Sequence, residues 1–363
     1  MNVCQKVRTT CRQWMEKVPS WEENGRRSVK IRKEHLHRLA SNIQSKKEQN
    51  SNWIEWDEEN WHYSGDGYKG SEAQKRERIA LYILALDAIN FCFWPSTTGE
   101  TKKNNTLEYH HLAIALKKMA EADDNNVDNS TSSDGIVRSA ESYAFSPGNL
   151  AKMTAIDMET CLQKHLEGHS LDNISTRSML WNEVGAVLLQ HFDGSASQLI
   201  AKADNSAPML VDVVMSHFPG FCDQVETEGV GILFLKRAQI LVGDLNAALK
   251  LSLEGMNELT TFADYRVPQI LRHFEILEYS PNLSQLVDQG QEIPRESNDE
   301  ISIRAATVTA VDDLVDFLNQ LGSSTNSEPF TAVTVDWYLW QVGERMHQEG
   351  ALKPFHKVRT HFY

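Results

Sequence analysis

Cysteine is scarce in this chain and carries no pattern. Five cysteines, Cys4, Cys11, Cys92, Cys161 and Cys222, are spread over 363 residues, an odd number with no C-x-x-C pair. That argues against a disulfide framework or a zinc finger and predicts free thiols in a reducing compartment. Long apolar runs are missing too. The most apolar stretch, Ile79 to Trp94, is interrupted by Asp87 and Asn90, and it falls short of the roughly 20 residues that cross a bilayer. The opening residues, MNVCQKVRTTCRQW, hold no apolar segment of a secretory signal. Positive charge is in deficit: 36 Lys and Arg face 50 Asp and Glu, a formal net charge of −14. Proteins that hold duplex nucleic acid or anionic membrane gain affinity by neutralising phosphates, so this balance argues against both. A small anion held by a few placed cations is compatible with it. These absences predict a soluble intracellular protein, cytoplasmic, with the nucleus or the mitochondrial surface also compatible.

Standard catalytic loops are absent as well. No G-x-S-x-G elbow and no Walker loop occur. Gly229-Val230-Gly231 resembles the start of a dinucleotide fingerprint, but Phe234 stands where the third glycine belongs. His165 and His169 are four apart, yet Leu166 replaces the Glu that a zinc protease needs after its first His, so two surface histidines are expected. His110 and His111 are adjacent and should diverge around a helix.

What is present reads as helix. Hydrophobic residues make up 41% of the chain, enough for a substantial core. Apolar residues recur at spacings of three and four over 107–120, 158–166, 179–192, 207–214, 232–251 and 303–321. Strand-like alternation is rare: Trp53 to Tyr63 is a candidate hairpin, and Ala332 to Trp340 reads as either type. Polar breaks fall at 64–78, 121–135, 280–300 and 321–329, and the acidic 121–135 segment should be mobile. None is long enough for an interdomain linker, and no internal repeat occurs. The expected fold is mainly α, with a small β element in the N-terminal third.

Four segments combine polar groups with large hydrophobes. Asp87-Ala-Ile-Asn90-Phe-Cys-Phe-Trp94 places two polar side chains in a core-like setting, where they need partners. Lys236 and Arg237 sit inside an apolar helix, either snorkelling to solvent or facing an anion. Phe262-Ala263-Asp264-Tyr265-Arg266 sets a carboxylate among aromatics before Pro268, which should end regular structure. Apolar surroundings raise a carboxyl pKa and suit it to acid–base chemistry; an Asp264–Arg266 ion pair is the simpler alternative. Val335-Asp336-Trp337-Tyr338-Leu339-Trp340 can form a slot that stacks a planar ring and binds its edge, or an ordinary aromatic core. Two carboxylates in aromatic settings and a Lys–Arg pair point to a heterocycle carrying a phosphate.

These segments resemble the queuosine salvage protein family, the queuosine 5′-phosphate N-glycosylases. The similar stretches are DAINFCFW (87–94), HFPGFCD (217–223), FLKRAQILVGDL (234–245), LTTFADYRVPQ (259–269), ISIRAATVTAVDDL (301–314), VDWYLWQVGE (335–344) and the ending HKVRTHFY (356–363). In order, they run from about Val29 to Tyr363, leaving residues 1–28 as an N-terminal extension to a single large helical domain. The resemblance implies a fold like that of helical DNA glycosylases and hydrolysis of queuosine 5′-monophosphate to queuine and ribose 5-phosphate. It implies no metal, no organic cofactor, no stable nucleic-acid complex and no membrane. It further implies that Asp264 is the catalytic carboxylate beside the sugar and that Phe262 contacts the base. Asp336 and Trp337 match the family's base-binding pair, although Tyr often stands where Trp337 does. His62 matches a base-pocket His, and Lys236 a basic site for the phosphate, with Arg237 structural. Gln341 occupies a position that is acidic in some members, which bears on any contact with the cationic side chain of queuine. The alternatives are a non-catalytic binder of a modified nucleoside or tRNA, and a glycosylase acting on intact nucleic acid.

Overall fold

The computed structural model describes residues 1–50, 53–57, 59–94, 107–127, 143–227, 229–322 and 328–363. Among them are fourteen α-helices: α1 Val3–Lys17, α2 Leu36–Gln49, α3 Glu72–Ala88, α4 Tyr109–Val127, α5 Pro147–Leu150, α6 Ala155–Gln163 and α7 Ile174–His191. There follow α8 Ala196–Ala201, α9 Ala207–His217, α10 Lys236–Leu249, α11 Arg266–His273, α12 Pro281–Asp288, α13 Asn298–Leu321 and α14 Ala332–Gln348. Strand β1 (Val29–Ile31) pairs antiparallel with β4 (Leu277–Tyr279), and β2 (Gln224–Thr227) with β3 (Val230–Leu233). The mainly α expectation therefore holds. No helix among the described residues is long and apolar enough to cross a membrane.

Helix starts follow local chemistry. Asn2, Ser71, Thr154 and Thr331 each accept the N–H three residues on and close capping boxes, which satisfies donors the helix cannot. Ser71 ends the Gly-rich 64–78 break seven residues earlier than its composition indicates. Part of the acidic 121–135 segment is helical, since α4 runs to Val127; its remainder lies outside the described residues. The 280–300 break contains α12 and the start of α13, and of the 321–329 break residues 323–327 lie outside the described set.

Two helices are buried on every side along much of their length and form the centre. In α13 every residue from Glu300 to Asp312 is buried, with Ala305, Ala306 and Ala310 admitting close neighbours. Helix α3 is buried from Arg78 to Ala88. A helix hydrophobic all round belongs in a core. The segment read as an N-terminal extension packs into that core: Cys4, Val7, Cys11 and Trp14 of α1 are buried, facing α13 and β3. Arg8 and Arg12 of α1 pair with Asp312 and Asp313 at 2.9 and 3.2 Å.

Several expectations are corrected. The described residues of 53–63 form no strand; Asp57 accepts the N–H groups of Trp61 and His62 at 2.7 and 3.1 Å. Residues 332–340 belong to α14. Gly229, at φ +74°, sits in the turn between β2 and β3, so a strand does precede Gly229-Val230-Gly231 but a strand also follows it. Pro268 lies in the first turn of α11, where its missing N–H costs nothing. His110 and His111 do not diverge: their ring centroids are 3.9 Å apart, and His169 stacks on His111 at 3.9 Å. His165 and His169 lie beyond α6 and are half-buried rather than on the surface.

One ion pair joins distant parts of this framework. Arg304 of α13 grips Asp223 through both guanidinium nitrogens, Nη1 to Oδ1 at 2.9 Å, with both side chains buried. Phe234 and Tyr363 sandwich the guanidinium at 4.0 and 4.1 Å. Replacing one partner of a buried pair strands the other charge. Arg304→Met is expected to lower unfolding free energy by about 3–5 kcal/mol, with a smaller loss when Asp223→Asn is added. Urea denaturation of the full cycle tests this, and additive losses would contradict it.

Candidate active site

Six stretches of chain converge on a cavity of about 380 Å³, within the range of small-molecule sites. Its floor is built by α10 and the 259–265 loop. Lys236, Ile240 and Asp244 line it at four-residue spacing along one face of α10. The loop is pinned from below, where Gln239 accepts the Thr260 N–H at 2.8 Å and donates to the Thr260 hydroxyl at 2.9 Å. Asp223 and Arg304 fix its far end: Arg304 Nε donates to the Ala263 carbonyl at 3.1 Å, and Asp223 accepts the Lys236 backbone N–H at 3.3 Å.

The two carboxyl groups singled out by the sequence share a design. Asp264 Oδ1 accepts the N–H groups of Arg266 and Val267, both at 2.9 Å, at the start of α11. Asp336 Oδ2 accepts the Phe262 N–H at 2.8 Å and the Thr261 hydroxyl. Each commits one oxygen to the scaffold, and among the described residues no hydrogen bond engages the other. The alternative reading, an Asp264–Arg266 ion pair, does not hold: no such pair forms among the described residues. Arg266 Nε donates instead to Glu344 of α14 at 2.6 Å.

Burial and charge separate the protonation states of these groups. Burial raises the Asp264 pKa, opposed chiefly by the Lys236 ammonium and then by the two α11 N–H groups. Burial, then the charge of Asp264, pushes Asp336 up to about 8. Burial pulls Lys236 down to about 8, opposed by Asp264. Lys236 is neither snorkelling nor at the surface; its Nζ donates to the Asn90 carbonyl at 3.1 Å. Asp87 is fully buried, its carboxyl raised by burial and then by Asp244. Arg237 is structural, donating to the carbonyls of Asp87, Ala88 and Gly220.

Aromatic rings form the walls. Phe262 and Trp337 converge where Gly243 leaves room: a side chain there would come within 3.4 Å of Phe262 and 3.9 Å of Trp337. His62 stacks on Trp56 at 4.3 Å, and the Trp56 indole N–H donates to Asp244 at 2.8 Å. Burial pushes His62 down to about 3, so its ring is neutral and can accept or donate one hydrogen bond. Gln341 Nε2 donates to the Glu55 carbonyl at 3.0 Å, tying α14 to the 53–62 loop.

The structure thus places Asp264, His62, Phe262, Asp336, Trp337, Gln341 and Lys236 around one cavity. It adds Asp244, Trp56, Tyr109 and Arg345, which sequence reading passed over. Asp244 was detectable as the residue two helical turns after Lys236. Among the described residues no group of three or more His, Cys, Asp or Glu is placed to hold a metal. Chemically, the cavity can hold a flat ring between aromatics, bind its N–H edge at Asp336, and stabilise a nearby cation at Asp264.

A family model described as queuosine salvage protein matches residues 70–363. A Dictyostelium discoideum protein named queuosine 5′-phosphate N-glycosylase/hydrolase is 35% identical over 96% of the chain and 98% of its own length. Proteins of the same name from Sphaerobacter thermophilus and Bos taurus are 38% and 33% identical, each over 79% of the chain and 82% of their own length. The chain belongs to the queuosine salvage protein family.

Proposed function

We propose that this protein hydrolyses the N-glycosidic bond of queuosine 5′-phosphate, releasing queuine and ribose 5-phosphate. The names of the relatives support the substrate. The observation that carries the chemistry is the pair of carboxyl groups on the cavity wall, one beside a buried ammonium and the other raised toward neutrality. Environments that push two carboxyl pKa values apart assign them different roles.

Breaking the bond between C1′ and the base leaves positive charge on the ribose ring, as in other oxocarbenium-like glycosyl transfers. Asp264 stabilises that charge from a desolvated position, where electrostatic stabilisation is strong. Water supplies hydroxide to C1′ and a proton to the departing base nitrogen. A 7-deazaguanine lacks the ring nitrogen that acids protonate in ordinary purines, so holding the base edge matters more. Asp336 accepts from its guanine-like N–H groups, and Phe262 and Trp337 stack on its faces. Lys236 lies on the floor beside Asp264 and serves as its counter-charge. The net charge of −14 weighs against a lasting nucleic-acid complex; the compartment we propose is the cytoplasm, with the nucleus or the mitochondrial surface also compatible.

Two outcomes are expected. Asp264→Asn keeps an oxygen to accept both α11 N–H groups but loses the charge. It should retain fold and substrate affinity while kcat falls about 10²–10³-fold, measured by chromatographic assay of free queuine. Full activity in this variant would contradict the assignment.

The second outcome is a pH profile with two limbs. Below about 8 Asp336 is protonated and must lose its proton to accept N–H groups, so KM should rise as pH falls, by up to about tenfold per unit. Above about 8 Lys236 loses its proton, Asp264 loses its counter-charge, and kcat should fall. A KM slope that persists in Asp336→Asn would assign that limb elsewhere.

A further inference from the structure

The cavity is markedly acidic. Asp57, Glu59, Asp244, Asp264, Asp336 and Glu344 line it, against two permanent or near-permanent cations, Lys236 and Arg345. A phosphate dianion brought to this floor would meet the Asp264 carboxylate, whose counter-charge Lys236 already is. Lys236 cannot serve it there without leaving its place. Its Nζ is buried, donates to the Asn90 carbonyl, and has Asp264, Asp87 and Asp336 around it. Arg266 is equally committed, to Glu344 and to the Gln269 side chain, both at 2.6 Å.

Arg345 is different. Its side chain is exposed, and among the described residues its guanidinium takes part in no hydrogen bond or ion pair, while its backbone carbonyl accepts the Glu349 N–H. It stands on the cavity face of α14, which Asp336, Trp337, Trp340, Gln341 and Glu344 also form. From Asp336 to Arg345 is nine residues, or roughly 13 Å along the axis at about 1.5 Å per residue. The helix therefore runs from the buried base edge to the rim, as a nucleotide does from its base to its 5′-phosphate.

We propose that Arg345 is the cation that receives the substrate's 5′-phosphate. This rests on the proposed N-glycosylase reading and assigns the specificity for nucleotide over nucleoside to the rim of the site. The planar guanidinium fork matches two phosphate oxygens at once. At the rim the phosphate stays partly hydrated, so no dianion is buried. The acidic floor repels the phosphate and admits the uncharged guanine-like ring, and the substrate enters base first. Gln348, also on the cavity lining, supplies a further donor one turn beyond Glu344.

The test compares queuosine 5′-monophosphate with queuosine as substrates for the wild type, Arg345→Gln and Arg345→Lys. In Arg345→Gln the ratio of kcat/KM for nucleotide over nucleoside should drop about 10–100-fold, mainly through KM, as expected for a lost charge-assisted bond. Arg345→Lys should restore part of that ratio. An unchanged ratio, including equal loss on both substrates, would overturn the proposal. Calorimetric titration with ribose 5-phosphate reads the same contact without base release. Affinity should weaken at least tenfold in Arg345→Gln, and equal affinity in wild type and variant would overturn the assignment. Failure of the wild type to release queuine, with the ribose 5-phosphate difference intact, would instead fault the activity reading and leave the phosphate site supported.

Discussion

The Asp223–Arg304 pair is the constraint on which the site depends. The Asp223 backbone carbonyl takes the N–H groups of Phe234 and Leu235 at 3.0 and 3.1 Å, and its side chain takes that of Lys236. Arg304 holds the carbonyl of Ala263, the residue before Asp264. One buried contact therefore sets the backbone at both the lysine and the carboxylate whose charges must face each other. A buried pair of this kind is a weak source of net stability, since desolvating two ions offsets their attraction. What it supplies here is registry between α10, α13 and the 259–265 loop.

That registry allows charges to be graded by depth. At the floor, desolvation dominates: Asp336 is raised to about 8, Asp87 is raised as well, and Lys236 is lowered to about 8. Like charges so close cannot all ionise together, so the floor favours one well-supported anion. Asp264 has the strongest claim, with an ammonium beside it and two helix N-terminal N–H groups on one oxygen. Toward the rim, water screens the groups and Arg345 keeps an uncommitted charge. The same acidity that gives the chain its net charge of −14 thus has a local use, keeping the anionic end of the substrate away from the floor.

Legibility in the sequence tracked distance along the chain. Helices α4, α7, α9 and α13 showed in three- and four-residue spacing, because that pattern is local. The β1–β4 pairing was invisible: three-residue strands about 250 positions apart leave no local mark. Residues 332–340 were ambiguous because Val, Thr, Trp and Tyr favour strands, while packing against α11 and α13 decides for helix. In the 53–63 segment, alternating Trp and acidic residues imitate a strand, but Asp57 caps a turn. Asp264, Asp336 and Lys236 stood out as polar groups among hydrophobes. Their mutual placement, and Arg266 choosing Glu344 over Asp264, depend on contacts made only in the folded chain. Arg345 carried no signal, since a lone exposed cation on a helix is ordinary until a cavity is seen beneath it.

The central claim is that this cavity cleaves a nucleotide rather than holding one. The most direct measurement is a mass-spectrometric time course of purified protein with excess queuosine 5′-monophosphate. Many equivalents of free queuine per chain, matched one for one by ribose 5-phosphate, are predicted. Saturable binding with no free base, or release of the base only from intact tRNA, would contradict it.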